Sequence, residues 1–208
     1  MHNLKCNLVI AIGGGSGSGK SFLASGLQKY FGQEKSTVLP MDDYYKDLST
    51  LKTGQRSGIN FDLPDAFDLE LFTGHLIQLR EGKSISKPKY LFTEHIWNGE
   101  EIISAKEIII VEGLFALFLE QIRMLADLKI FVDAPDEIRL CRRLVRDTKE
   151  RSRTKDHVLK QYLKHVRPAY SRFIEPTKNY ADFIVSGVEM SKNEIIRLAE
   201  QINFRSRK

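Results

Sequence analysis

Residues 14–21, Gly14-Gly15-Ser16-Gly17-Ser18-Gly19-Lys20-Ser21, are suited to gripping a polyphosphate. They match the phosphate-binding pattern GxxxxGK(S/T), follow the apolar run 8–12 and precede a helix-forming stretch over 22–30, the strand, loop and helix context that the pattern requires. The glycines let the backbone turn so that successive N–H groups point at a β-phosphate, and the helix N-terminus adds partial positive charge. Lys20 is expected on the β/γ-phosphate oxygens and Ser21 on Mg²⁺. A flexible Gly/Ser linker would explain neither the Lys-Ser ending nor the strand before it.

Two acidic positions complement the loop. An extended run over 37–39 leads through Pro40 and Met41 to Asp42-Asp43. A carboxylate beside an acceptor alcohol can orient the hydroxyl and take its proton as the phosphoryl bond forms. Asp42 is therefore the candidate base, while Asp43 points elsewhere in an extended segment and reads as a capping or solvent-facing residue. The apolar run 108–111 closes on Glu112-Gly113, an acid placed to support a metal ion or its water shell. The candidate metal set is thus Ser21, Glu112 and Asp42, and Gly113 would let the chain turn closely beneath the phosphates.

Basic charge is concentrated further on. Arg139, Arg142, Arg143, Arg146, Lys149, Arg151, Arg153 and Lys155 stand in one segment against two acids. A solvated helix face is the plain reading of such a run, but a polyphosphate needs compensation, which favours an anion clamp. Arg143 and Arg146 share one helix face, and Arg151 and Arg153 follow as the helix runs into a flexible stretch. This predicts a lid over 143–160 that excludes water and neutralises charge developing in transfer. Arg146 and Arg151 join Lys20 and Asp42 as candidate catalytic residues. A nucleic-acid groove would interleave aromatics with these cations, and this run has none.

The elements that must position these groups follow from periodicity. Five short β-rich or apolar runs (8–12, 37–39, 108–111, 128–132 and 183–185) alternate with helical patterns over 21–31, 64–80, 115–125, 135–150 and 156–174. That alternation predicts an α/β fold with a five-stranded parallel sheet flanked by helices, whose ligands lie beyond the carboxyl ends of the strands. Pro135 reads as a first-turn proline and Asp65 as part of an acidic first turn. Ser191 with Glu194 reads as a capping box. Residues 82–105 break the rhythm and suggest a small projecting hairpin that turns at Asn98-Gly99.

Length and composition agree with one P-loop domain over 1–208. The chain has 208 residues, 42% apolar and 28% charged, with 32 basic and 27 acidic residues giving +5. No apolar run approaches a membrane span, and residues 1–7 lack a signal-peptide core, so neither membrane nor export is expected. Cys6 and Cys141 have no partner at metal spacing and read as reduced thiols of a cytoplasmic protein.

At this point the chain resembles the uridine-cytidine kinase family of P-loop phosphotransferases over nearly its whole length. The resemblance is carried by the loop 14–21, Asp42 with Tyr45, the stretch Asn60-Phe61-Asp62-Leu63-Pro64-Asp65-Ala66-Phe67-Asp68, and Pro88 with Tyr90 and His95. Glu112-Gly113, the basic segment, Gln161-Tyr162, and Phe173-Ile174-Glu175-Pro176-Thr177-Lys178 with Tyr180-Ala181-Asp182 also carry it. It implies ATP-dependent phosphorylation of the 5′-hydroxyl of uridine or cytidine, with Mg²⁺ and without nucleic acid. It implies Asp42 as base, Asp62 on the ribose joined by Arg153, Arg143 at the acceptor side, and Tyr90 with His95 on the base. Tyr45, Phe61 and Gln161 complete the substrate side, and a homo-oligomer, a tetramer in family members, is implied. Phe61, Phe67 and Phe92 read as core or pocket walls, and His2, His75, His157 and His165 have no assigned role.

The family usually has His, Asp and Arg where this chain has Leu63, Leu91 and Trp97, all around the nucleoside pocket or its hairpin. The alternatives are a P-loop kinase for another small alcohol, phosphoribulokinase-like or pantothenate kinase-like, and a non-kinase nucleotide-binding module. No Asn-Lys-x-Asp guanine signature is present, and an acceptor-side acid with a cis-arginine lid is unnecessary for a nucleotide switch.

Overall fold

The five apolar runs form one parallel sheet in a computed structural model that describes residues 7–56 and 58–205. The strands are β1 (Leu8–Gly14), β2 (Ser36–Pro40), β5 (Ile108–Glu112), β6 (Leu128–Asp133) and β7 (Phe183–Ser186), in the order β2-β5-β1-β6-β7. Alternate side chains point to opposite faces. Val9, Ala11, Val111 and Phe131 therefore pack on one face with Phe72, Leu76 and Phe115. Ile10, Ile12, Ile110, Ile130 and Val132 pack on the other with Leu23, Leu27, Ile195 and Ala199. Both faces of the inner strands β1, β5 and β6 are covered, so these strands read as continuous apolar runs rather than alternating ones. His2 and Cys6 lie outside the described residues, and Cys141 is a free, exposed thiol.

The helices are α1 (Lys20–Phe31), α2 (Thr53–Arg56), α3 (Leu69–Arg80), α4 (Glu120–Leu125), α5 (Asp136–Glu150), α6 (Lys155–Gln161), α7 (Arg167–Ala169) and α8 (Lys192–Arg205). Wide π-type turns over Tyr162–Val166 and Tyr170–Ile174 flank α7. Three helix starts differ from the sequence reading. Pro64–Ala66 is a separate 3₁₀ turn, and α3 starts only after Asp68, whose side chain accepts from the Leu71 N–H at 3.0 Å. Residues 114–118 are turns, so α4 is short. Pro135 caps α5 with extended backbone instead of occupying its first turn. The capping box at α8 is present, with Ser191 N–H donating to Glu194 Oε2 at 2.6 Å and Glu194 N–H to Ser191 Oγ at 3.3 Å.

The insertion is an antiparallel hairpin of β3 (Ile85–Leu91) and β4 (Ile96–Ile103), but its turn is not at Asn98-Gly99. Pairing shifts from Pro88↔Glu100 to Tyr90↔Trp97, so Asn98 and Gly99, with φ 82° at Gly99, form a bulge inside β4. Bulges of this kind use a left-handed glycine and re-aim the flanking side chains. The reversal falls at residues 92–95, where His95 itself is left-handed at φ 58°.

No helix among the described residues is long and apolar enough to cross a membrane. Beneath the Asp42-Asp43 segment, buried Tyr44 and His75 share a hydrogen bond of 2.8 Å, giving His75 a structural partner. Tyr44→Phe would leave the imidazole unpaired in the core at a cost of about 1.5 kcal/mol. For a chain of this size that corresponds to a Tm fall of about 3–6 °C. A calorimetric Tm equal to that of the parent protein would show that the bond contributes nothing.

Candidate active site

The phosphate loop leaves β1 and enters α1 with its backbone against the next layer of the fold. Gly17 has φ 79°, and a Cβ there would lie 2.5 Å from the Arg139 carbonyl oxygen, so both conformation and space require glycine. Lys20 is buried, with Nζ donating to the Gly15 carbonyl at 3.0 Å, and Ser21 Oγ donates to Glu112 Oε1 at 2.9 Å. Burial pulls the Lys20 ammonium down from its ordinary pKa while Glu112 and Asp42 push it back up. Burial lifts the Glu112 carboxyl, and Lys20 opposes that. Arg143 Nη1 donates to Ser16 Oγ at 3.0 Å, and Arg142 Nη1 lies 3.3 Å from the Gly17 and Ser18 carbonyl oxygens.

The two carboxylates reach the loop because β2 and β5 are paired, with Pro40 opposite Glu112. Asp42 lies in the 3₁₀ turn Met41–Tyr44 that follows β2 and faces the same cavity as Lys20 and Ser21. Asp43 is neither a cap nor solvent-facing. It ion-pairs with Lys87 of β3, which also meets Glu101 Oε2 at 3.1 Å and is only 5% exposed, so this pair ties the hairpin to the Asp42 turn. A Cβ at Gly113 would meet the Met41 side chain at 2.5 Å, so the turn that follows β2 needs glycine there.

At the other end of the cavity, buried Asp62 faces Arg143 across 3.6 Å (Oδ1 to Nη1). Its backbone N–H donates to Asn60 Oδ1 at 3.0 Å. Burial raises the Asp62 pKa, opposed by the Arg143 and Arg153 guanidinium groups. Arg153, expected with Asp62 at the ribose, lines the same cavity. Its Nη1 donates to Asp147 Oδ2 at 3.1 Å and to Gln161 Oε1 at 3.0 Å, and Gln161 also accepts from Arg143 Nη2 at 2.9 Å. His95 stacks on Phe61 with centroids 4.3 Å apart and ring planes 15° apart, and its Nδ1 is 3.5 Å from the Tyr90 hydroxyl. Burial, followed by Arg153, Arg151 and Arg56, lowers the His95 pKa to about 4. Tyr45 stacks on Phe67 at 4.0 Å, and its carbonyl accepts from Trp97 Nε1 at 2.7 Å.

One cavity of about 250 Å³ gathers Ser16, Gly17, Gly19, Lys20, Ser21, Asp42, Tyr45, Phe61, Asp62, Tyr90, His95, Glu112, Arg143, Arg146, Arg151, Arg153 and Gln161. Every candidate catalytic, substrate-side and metal-side residue is among them. Of the loop, Gly14, Gly15 and Ser18 do not line it. Leu63, Leu91 and Trp97 do not line it either. Among the described residues, the buried side-chain polar atoms without a hydrogen-bond partner are Ser18 Oγ, Asp62 Oδ2, Arg139 Nη1 and Arg143 Nε. Of these residues Asp62 and Arg143 line the cavity, where an unpaired buried polar group calls for an explanation such as a ligand.

Phe92, read as core or pocket wall, lines the cavity with the Arg151 guanidinium 4.2 Å above its ring. Other residues escaped the sequence reading. Arg56 holds the hairpin turn through the Glu94 carbonyl at 2.9 Å. Asp147 is fully buried and ion-pairs with Arg143, Arg146, Arg151 and Arg153. A strand-alternation or helix-stripe pattern gives no signal for such a residue, because the buried stripe of α5 is Arg139, Arg143 and Asp147.

Comparison with known proteins places this arrangement in a family. The model of the Phosphoribulokinase / Uridine kinase family matches residues 9–194. The uridine kinase of Clostridium novyi (strain NT) is 47% identical over 179 residues, covering 86% of this chain and 86% of that protein. That of Brevibacillus brevis is 45% identical over 179 residues, covering 86% and 84%. Among solved structures, phosphoribulokinase from Rhodobacter spheroides superposes with a TM-score of 0.63 at 15% identity, covering 88% of this chain and 70% of that one. D-glycerate 3-kinase from Cryptococcus neoformans superposes with a TM-score of 0.61 at 15% identity, covering 88% and 87%, a likeness of fold alone. With a glycine-rich loop closing on Lys20 and Ser21 and a parallel sheet that sets two acids beside it, the chain belongs to the phosphoribulokinase/uridine kinase family.

Proposed function

We propose that this protein transfers the terminal phosphoryl group of ATP to the 5′-hydroxyl of uridine, with cytidine as a second acceptor, releasing ADP and UMP or CMP. The observation that carries this reading is the single cavity running from Lys20 and Ser21 past Asp42 to Asp62, Tyr90 and His95, in a chain about as similar to uridine kinases as 45–47% identity. The reaction belongs to pyrimidine salvage in the cytoplasm, in a homo-oligomer by family resemblance.

In the proposed reaction, the loop N–H groups and Lys20 hold the phosphates, and Asp42 orients the nucleoside hydroxyl and takes its proton as the new P–O bond forms. Arg146 and Arg151 face the same space and offset charge on the transferring group. The Ser21 hydroxyl and Glu112 carboxylate, 2.9 Å apart, with Asp42 across the cavity, are hard oxygen donors suited to Mg²⁺. Among the described residues no group of three or more His, Cys, Asp or Glu forms a metal cage, which fits an ion that takes most of its ligands from nucleotide and water. Held there, Mg²⁺ would supply charge neutralisation on the phosphate oxygens. Asp62 can accept one hydrogen bond from each of two cis ribose hydroxyls. His95, kept neutral by its lowered pKa, can donate to a uracil carbonyl or, as the other tautomer, accept from a cytosine amine.

Asp42→Ala should lower kcat by about 10³-fold while ADP affinity measured by calorimetry stays within a few-fold. Near-parental turnover would remove Asp42 as base. With 2′-deoxyuridine, kcat/KM should fall about a hundredfold or more, since Asp62 loses a partner; equal values would take Asp62 off the ribose. ADP release compared across uridine, cytidine, ribulose 5-phosphate and pantothenate tests the acceptor class directly.

The pH dependence has a definite sign. The folded pKa of His95, about 4, lies below the ordinary 6.5, so its stabilising contribution is complete above 6.5 and is lost as pH falls toward 4, where the unfolded chain binds a proton first. An NMR titration should place the imidazole near 4, and kcat/KM for uridine should show no break at 6.5. An imidazole titrating at 6.5 would contradict the neutral base reader.

A further inference from the structure

The clamp converges on a residue that lies outside the cavity lining. Asp147, on the last turn of α5, is 0% exposed and does not line the cavity. Its two oxygens divide four guanidinium groups between them. Oδ1 lies 2.9 Å from Arg146 Nε and Nη2 and 3.8 Å from Arg151 Nε, and Oδ2 lies 3.1 Å from Arg153 Nη1 and 3.5 Å from Arg143 Nε. All four arginines do line the cavity. The Asp147 carbonyl also accepts from the Arg153 backbone N–H at 3.1 Å, across a turn in which Ser152 is left-handed at φ 53°. One residue therefore fixes both the side chains and the backbone of the corner that leads into α6.

We propose that Asp147 positions the arginine clamp by occupying, behind the cavity wall, the focus on which the four guanidinium groups converge, so that the clamp is assembled before either substrate binds. Four cations packed around a closed site repel one another strongly in low dielectric. A single buried carboxylate holds them together yet leaves the cluster net positive toward the cavity, as a polyphosphate requires. Burial pushes the Asp147 carboxyl up, but Arg146, Arg143 and Arg151 outweigh this and hold it below the usual range, so it stays ionised. Gln161, which accepts from Arg143 and Arg153 together, braces the same pair from α6. These contacts tie down both the side chains and the backbone of the corner, within the segment 143–160 read from sequence as a lid. This inference rests on the proposed kinase reading, deepening its clamp.

Wild-type hydrogen exchange tests the preassembly without any substitution. The Arg153 amide should be protected in the protein free of nucleotide and nucleoside, with little further gain on adding ADP and uridine. An unprotected amide that becomes protected only with those ligands would overturn the proposal. In kinetics, Asp147→Asn should lower kcat about a hundredfold, with KM for ATP and uridine within about threefold. A merely structural role would lower Tm or the ADP-binding fraction while leaving kcat per ADP-binding site unchanged, and that outcome would also overturn it. Asp147→Glu, which keeps the charge but moves it by one methylene, should retain more kcat than the Asn variant. If the Asn variant does not fold, Asp147→Glu at full parental kcat per site counts against the proposal and a fall of about tenfold counts for it. Wild-type protein that fails to phosphorylate uridine would refute the kinase reading, whereas active wild type with an equally active Asn variant would refute only the role of Asp147.

Discussion

The arrangement depends on burying cations beside a site built for anions. Lys20 and Arg143 are both buried, and an isolated charge so placed would cost several kcal/mol. Each is instead given acidic or polar partners: Lys20 lies between the Gly15 carbonyl and the Glu112 and Asp42 carboxylates, and Arg143 between Ser16, Gln161, Asp62 and Asp147. The compensation is incomplete on the cavity side. A surplus of positive charge at an enclosed surface attracts polyphosphate without dismantling the protein.

The parallel sheet makes this compensation possible by placing chain ends rather than side-chain runs around the loop. Because β1 lies between β5 and β6, the loop emerges beside Glu112 at one strand end and beside the start of α5 at the other. Asp42 arrives one strand further out, held by the pairing of β2 with β5. The hairpin is joined to the same place by the Lys87 to Asp43 ion pair. Donor grip, candidate base and acceptor wall are thus three consequences of strand order and one buried lysine.

Features were legible in the sequence when local pattern and tertiary role coincided. The loop carries its own signature, and fully buried strands announce themselves as short apolar runs. Misreadings came where local propensity lost to packing. Asn98-Gly99 has the composition of a hairpin turn but serves as a bulge, because the reversal is set by residues 92–95 and by Arg56 and Asp47 holding the strand start. Asp43 looked exposed because its partner lies 44 residues away. Asp147 was hidden most completely: on a helix whose buried face is charged, hydrophobic periodicity points away from the residue that organises the face.

Trp97 ties the hairpin to the cavity wall: its indole N–H binds the Tyr45 carbonyl and its backbone N–H binds Asp47. It therefore supports Tyr45, which does line the cavity, from the side away from it. The Arg151 guanidinium over Phe92 extends this support to the clamp. Phe92 in turn packs edge-on against Tyr90 at 5.2 Å, and Tyr90 lies beside His95. The Arg151 guanidinium and the His95 imidazole, proposed for phosphate and for base, are thus linked through two aromatic rings, so substitutions in the hairpin are expected to alter phosphoryl transfer as well as acceptor affinity.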